Sequence, residues 1–492
     1  MKRILISTIA VSALFFNISC DTDFDQDVND VVVTSGEADF SKYVALGNSL
    51  TSGYRDNALY IDGQNESYPA MLAQQMQLAG GGAFKQPLMP NNTGGFTNLP
   101  GFPGKYVLSV VNGALSPGPT APGAALDNIT PAGPYQNMGI PGAKSFHLLA
   151  PGYGSQAGLA NGTANPYFVR FASSATTSVV ADAMAQAPTF FSLWIGNNDV
   201  LGYATSGGDG SNPITSEAMF TQAYNGLVAT LTSNGAKGVV ANIPNVTAIP
   251  FFTTVPYNPV PLDAASVTTL NQQVFGPLKQ ILTAYGQGSR LNLVTATQNP
   301  LLLKDESLAD LSAQITGALA AAGVPAQQAG LMGLIYGQAR HATSADLIPL
   351  TTSSVIGTAP TSPYAVAPFN KYGVTFPLDD KHVLTVTEKT EVLTATDSFN
   401  AVIKAAATAK GLAFVDANAK MMELSKSSGL QFDGVKYTAT FVTGGTFSLD
   451  GVHLTGRGYA LIGNEFIRAI NQKYKSNLPM VNVNSYSGVT FP

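Results

Sequence analysis

Cysteine is almost missing from this 492-residue chain: Cys20 is the only one. Beyond it there is no thiol for a disulfide framework or a thiolate metal site. Histidine occurs four times, at His147, His341, His382 and His453, so a reaction that needs an imidazole base has few candidates. Charged side chains make up only 11% of the chain, no run of Lys and Arg occurs, and the formal net charge is −5. A basic footprint for nucleic acid is thereby excluded. What is plentiful is Gly, Pro, Ala, Thr and Asn, with a hydrophobic fraction of 45%. That fraction supports a large buried core and excludes global disorder, while the Gly, Pro and Asn imply many turns and long surface loops.

The N-terminus reads as an export signal. Lys2 and Arg3 supply a positive end, and Ile4 to Phe16 an apolar stretch interrupted only by Ser7, Thr8 and Ser12. The stretch falls short of the ~20 apolar residues of a membrane span, so residues 1–20 are expected to be a signal peptide. Ser19 before Cys20 resembles the bacterial lipobox, although Asn17 stands where such motifs usually carry an aliphatic residue. That resemblance implies lipidation of Cys20 and anchoring to a bacterial membrane, at the outer membrane or cell surface. Residues 21–40 hold seven acidic side chains and no basic one. Asp21, Asp23, Asp25 and Asp27 lack the Gly and terminal Glu of an EF-hand loop, so a solvated tether is expected rather than a metal site.

The second half of the chain alternates strand and helix signals. Thr189–Ile195, Lys237–Ile243 and Leu412–Val415 are compact apolar runs suited to buried strands. Helical spacing recurs over Ser216–Ser233, over Phe399–Lys410, and through Tyr459, Ile462, Phe466 and Ile470. This alternation predicts an α/β domain over 41–476 with a parallel sheet flanked by helices. Two stretches break it, at about 55–135 and 250–395, the latter with helical spacing at Val267–Tyr285 and Leu308–Ala321. They are expected to be insertions that roof the site. Residues 477–492 are expected to form a low-charge tail, free to pack on the body or on a partner.

One segment stands out chemically. Tyr43–Leu46 is a short strand and Gly47–Tyr54 (GNSLTSGY) a turn into a helix, which puts Ser49 beyond a strand's C-terminal end. Open α/β sheets bind their ligands there, and a helix start offers backbone N–H groups to developing negative charge. Most serines in such a place are N-caps, and a nucleophilic serine also needs a base within reach. Asp450 precedes His453 by three residues on a turn, so its carboxylate can fix the imidazole tautomer and leave Nε2 free. Asp379 and His382 have the same spacing, and spacing alone does not choose between the pairs. Context favours Asp450 and His453, at the mouth of the terminal helix.

Gly47–Leu50 (GNSL), Asn137–Lys144 (NMGIPGAK), Ile195–Asp199 (IGNND) and Asp450–His453 (DGVH) occur in the order of the four blocks of SGNH (GDSL-type) hydrolases, which the chain resembles over about half its length. The resemblance implies a flavodoxin-like three-layer α/β/α sandwich. It also implies Ser49 as nucleophile, His453 as base, Asp450 as its partner, and an oxyanion hole from Ser49, Gly142 and Asn198. No cofactor or metal is implied. Asn48 replaces the family's usual aspartate, and Pro141 and Lys144 flank Gly142.

A lipase or carboxylesterase is the expected activity, on lipid or acylated-glycan esters. Ala248–Pro261 (AIPFFTTVPYNPVP) and the Phe and Leu residues of the first insertion are candidates for an acyl pocket, or for packing alone. Alternatives are a carbohydrate O-acetylesterase and a catalytically silent lipid- or glycan-binding surface lipoprotein.

Overall fold

The computed structural model describes residues 32–111 and 113–492. Cys20, the signal segment and residues 21–31 of the acidic tether lie outside these. Five short runs pair, all parallel, into one sheet: β1 (Tyr43–Gly47), β2 (Asn137–Gly139), β3 (Phe190–Trp194), β4 (Lys237–Ala241) and β5 (Ala413–Val415). Every residue of β1, β2 and β3 is buried, as a parallel sheet covered on both faces requires. The strand order is β2-β1-β3-β4-β5, a doubly wound order that reverses direction between β1 and β3. Gly47 pairs with both Gly139 and Trp194, so β1, β2 and β3 release their chains at one level.

The layers around the sheet come from α1 (Ser49–Ser52), α2 (Tyr68–Leu78), α3 (Asn198–Thr205), α4 (Glu217–Leu231), α5 (Val386–Ala409), α6 (Ala417–Leu424) and α7 (Gly456–Tyr474). α2 packs on α7, with Tyr68 stacked on Phe466 at 4.5 Å. Phe190 and Trp194 share one face of β3 and meet α7 through Tyr474 at 5.7 Å and Phe466 at 5.9 Å. α4 and α5 form a second pair, joined by Phe220 on Phe399 at 4.1 Å. The result is an α/β domain with helices flanking a parallel sheet, in keeping with three layers. None of the described helices is long and apolar enough to cross a membrane.

The expected strands and helices of the second half form where the periodicity places them, and the insertions are where the structure departs. α2 lies inside 55–135 yet belongs to the core: Tyr68, Met71, Leu72 and Met76 are buried against the body. Its Pro and Gln content hides an otherwise ordinary helix. α5 spans 24 residues and starts at Val386, ahead of the expected end of the second insertion. A capping box between Thr385 and Glu388 sets that start. The second insertion holds a separate hydrophobic core around Leu278, Ile315, Met332, Tyr336 and Leu378. A helical segment at 264–284, with a π turn at Asn271–Phe275, and the helix Ser312–Ala321 build it. Most of this insertion is therefore a satellite body with a core of its own, not a set of roofing loops. At the N-terminal side, Ala38 and Phe40 are buried and Glu37 N–H donates to Tyr474 O at 2.7 Å, so the tether ends before them. The C-terminal tail packs on the body: Leu478, Val481 and Val483 are buried, and Asn464 holds both backbone groups of Val481.

Candidate active site

Ser49 opens α1 directly beyond β1. Asn48 caps the turn by accepting Leu50 N–H on Oδ1 at 3.0 Å, a task an aspartate would do equally. Its Nδ2 is buried with no partner. Gly47 lets the turn fold back this tightly, since a Cβ there would lie 2.1 Å from Thr51 Oγ1 and 2.3 Å from Trp194 O. Ser49 itself is 7% exposed. Neither its N–H nor its hydroxyl donates to any described residue.

His453 and Asp450 lie on the loop before α7. Asp450 Oδ1 accepts Val452 N–H and His453 N–H, both at 2.8 Å, so the side chain shapes its own turn. Oδ2 meets His453 Nδ1 at 2.8 Å. An ionised carboxylate only accepts, so Nδ1 carries the hydrogen and Nε2 of the neutral ring has a free lone pair. Burial works against the Asp450 charge, but His453 and the backbone N–H groups outweigh it and hold the carboxyl well below its usual range. Tyr54 packs its ring 4.7 Å from the imidazole.

A turn far away in sequence grips this loop. Asp56 and Asn57 both have positive φ, 52° and 60°, in a tight turn closed by mutual Arg55–Ala58 backbone bonds. Asn57 N–H donates to Asp450 Oδ2 at 2.8 Å, and Asp56 N–H to Ser448 Oγ at 2.9 Å. The Asp56 carboxylate accepts Leu449 N–H at 3.0 Å and Tyr60 O–H at 2.6 Å. Two adjacent non-glycine residues in this conformation are uncommon, and the bonds to Ser448–Asp450 are what they achieve. Nothing in the local sequence around Asp56 signals this role, because its partners lie almost four hundred residues on.

The Gly142 and Asn198 segments converge on the same edge. Gly142 has φ +81°, which favours glycine, and its N–H donates to no described residue. Asn198 donates from Nδ2 to Ala143 O at 2.9 Å, leaving one amide hydrogen over. Asp199 is fully buried and accepts Ser145 N–H and Ser145 O–H, both at 2.8 Å, which ties α3 to the Gly142 loop. Lys144 turns away to Asn212 Oδ1 at 2.9 Å, so it does not crowd Gly142.

The rival pair does not form. Asp379 Oδ2 accepts Tyr372 O–H at 2.7 Å, and no hydrogen bond joins it to the His382 ring. His147 and His341 each accept a backbone N–H on Nδ1, from Lys144 at 3.0 Å and Asn292 at 2.9 Å. Burial first, and a nearby lysine second, push both down to about 4. Among the described residues one carboxylate group has metal-binding spacing, Glu306, Asp380 and Glu388, and it does not line the cavity that holds Ser49. Burial and the neighbouring carboxylates push Asp380 up to about 7.

Ser49 and His453 line one cavity of about 90 Å³, together with Asn198 and a largely apolar wall. Of the expected Ala248–Pro261 lining only Ile249 reaches it, with Val246 just before. Phe251 and Phe252 pack on each other at 5.1 Å and into the core. The aromatics of the first insertion, including Phe96 and Phe102, form their own small cluster with Tyr167. Most of the wall comes from residues after β5. Comparison with protein-family models, curated proteins and solved structures gives no significant match.

Proposed function

We propose that the chain is a serine ester hydrolase of the SGNH (GDSL-type) kind, cleaving carboxylic esters through an acyl-enzyme on Ser49. The observation that carries this reading is a serine at a helix start and an Asp-oriented imidazole on one cavity, with two unengaged backbone N–H groups at the same sheet edge. The order β2-β1-β3-β4-β5, which is flavodoxin-like, supports it further. So does the lacing of the GNSL, NMGIPGAK and IGNND segments, where Asn137 Nδ2 donates to Thr51 O at 3.1 Å and Asn198 to Ala143 O.

His453 Nε2 takes the Ser49 hydroxyl proton as Oγ bonds to the ester carbonyl carbon. No Ser49–imidazole hydrogen bond is formed in the free chain, so it has to form on substrate binding, as catalytic hydrogen bonds often do. Negative charge on the carbonyl oxygen is met by Ser49 N–H, Gly142 N–H and the Asn198 amide. His453 then gives its proton to the departing alcohol oxygen as the C–O bond breaks. Water repeats the sequence on the acyl-enzyme: its proton passes to His453, the acid leaves, and the proton returns to Ser49 Oγ. The steps balance without a metal or organic cofactor. With Cys20 lipidated, the enzyme would act at a bacterial membrane or cell surface.

The test is labelling of the full-length chain with a fluorophosphonate, followed by peptide mass spectrometry. The label is expected on Ser49 alone, and abolished by His453→Ala. Labelling elsewhere, or none, would sink the assignment and leave the binding-lipoprotein reading.

A further inference from the structure

We infer that the cavity is an acyl-chain site for unbranched esters of medium length, walled by α6 and the hairpin after it; the inference rests on Ser49 being the nucleophile. The lining beyond Ser49 and His453 is dominated by Leu201, Met421, Leu424, Leu430, Phe447 and Leu461. Met421 and Leu424 come from α6, and Leu430 from the hairpin Leu430–Phe432 with Val435–Tyr437.

The polar members of the lining are largely spoken for. Lys420 is paired with Glu423 at 2.8 Å and Glu465 at 3.3 Å, and the Thr446 hydroxyl donates to Thr438 O. Asn48 Oδ1 is spent on its cap, while Asn48 Nδ2 and Asn197 Oδ1 have no partner but are shielded within the wall, and the second Asn198 amide hydrogen is the proposed oxyanion donor beside Ser49. A sugar ring inside the cavity would lose water from its hydroxyls and regain little, whereas a hydrocarbon chain loses nothing. Size points the same way. A cavity of about 90 Å³ is several times the ~10–15 Å³ needed for one water and below the roughly 150 Å³ of a cavity that takes a benzene ring, which leaves room for a slender chain and no bulky ring system. Burying each added methylene favours binding roughly three- to four-fold until the cavity is full.

The occupant can be watched directly, because Trp194 is the chain's only tryptophan and lines the cavity. The experiment measures kcat/KM of the full-length chain on p-nitrophenyl acetate, butyrate, octanoate and palmitate. Met421→Trp and Met421→Ala run beside wild type, and Ser49→Ala is titrated with decanoate and acetate by Trp194 fluorescence. Octanoate is expected to exceed acetate by about 30-fold or more, with palmitate below octanoate. Met421→Trp should cut the octanoate-to-acetate ratio about ten-fold, and Met421→Ala should move the optimum to longer chains. Decanoate, but not acetate, should change the fluorescence saturably. Ser49-dependent turnover with a flat chain-length profile overturns the chain site, as does a profile that neither Met421 variant moves. Saturable decanoate binding without Ser49-dependent turnover upholds the chain site and overturns the hydrolase reading instead.

Discussion

The chain carries the motif Asp-x-x-His twice, and the two copies come to different ends. At Asp450 and His453 the carboxylate meets the ring nitrogen at 2.8 Å, on a loop at the C-terminal edge of the parallel sheet. At Asp379 and His382 the carboxylate is taken by Tyr372, beside the separate core of the second insertion. Both pairs sit on short turns, so local geometry does not separate them. The difference lies in what surrounds each aspartate. Asp450 has its remaining lone pairs filled by backbone N–H groups and Ser448, including one from the distant Asn57 turn, which orients its free edge at the ring. Asp379 has a nearer phenol to satisfy it. A sequence motif is completed or dismantled by the partners that tertiary structure supplies.

The comparison breaks first, and most visibly, at the histidines. His453→Ala is expected to lower kcat/KM on p-nitrophenyl esters by roughly 10³-fold or more, and Asp450→Asn by about as much, whereas His382→Ala and Asp379→Asn stay within about three-fold of wild type. A comparable loss from both histidines would mean that the second body reaches the reacting atoms. Asn198→Ala should cost a further oxyanion donor, roughly 10²- to 10³-fold in kcat with KM little changed, read from steady-state kinetics. A pure KM effect would place Asn198 in binding rather than in charge stabilisation.

Asp56 sharpens the comparison at a smaller scale, being the residue that grips the first loop and has no counterpart at the second. Asp56→Ala is expected to lower kcat on the order of ten-fold and to alter the pH profile of kcat/KM, with Asp56→Asn partly rescuing both. An unchanged profile, with only a lower melting temperature, would reduce Asp56 to a structural role.

The smallest effect concerns stability of the two cores under acid. His341, buried in the second core, is pushed down to about 4, so an unfolded chain binds more protons than the folded one between about 4 and 6.5. Stability therefore rises with pH across that window and is level above it. Lowering the pH from 7 to 5 should cost the second core on the order of 2 kcal/mol. Asp450 acts in the same direction but in a lower window: its carboxyl is depressed, so its contribution is present above its unfolded pKa and is lost only as pH falls towards the folded one. Hydrogen exchange at pH 5 should thus report on the helix Ala326–Tyr336 through His341 and on the α/β body through His147, which is equally depressed, and His341→Gln should slow opening of that helix without slowing that of α7. Simultaneous opening of both would show one cooperative unit.

Much was legible in the sequence because it depends on neighbours along the chain. Apolar runs at Phe190–Trp194 and Lys237–Ala241 suited buried strands and form them, and the spacing of Tyr459, Ile462, Phe466 and Ile470 fixed one face of a helix. The four blocks named Ser49, Gly142, Asn198, Asp450 and His453 as candidates, and a local turn explains the Asp450–His453 contact. Tertiary structure alone decided the rest. It assigned α2 to the core, gave most of the second insertion a separate body, and drew the cavity wall from Met421, Leu424 and Leu430 rather than from Phe251 and Phe252. It also chose between the two Asp-x-x-His pairs through Asn57 and Tyr372. The physical reason is the same each time: periodicity and capping are contacts within one helix or turn. Which apolar faces meet, and which donor reaches a buried carboxylate first, depends on residues hundreds of positions apart.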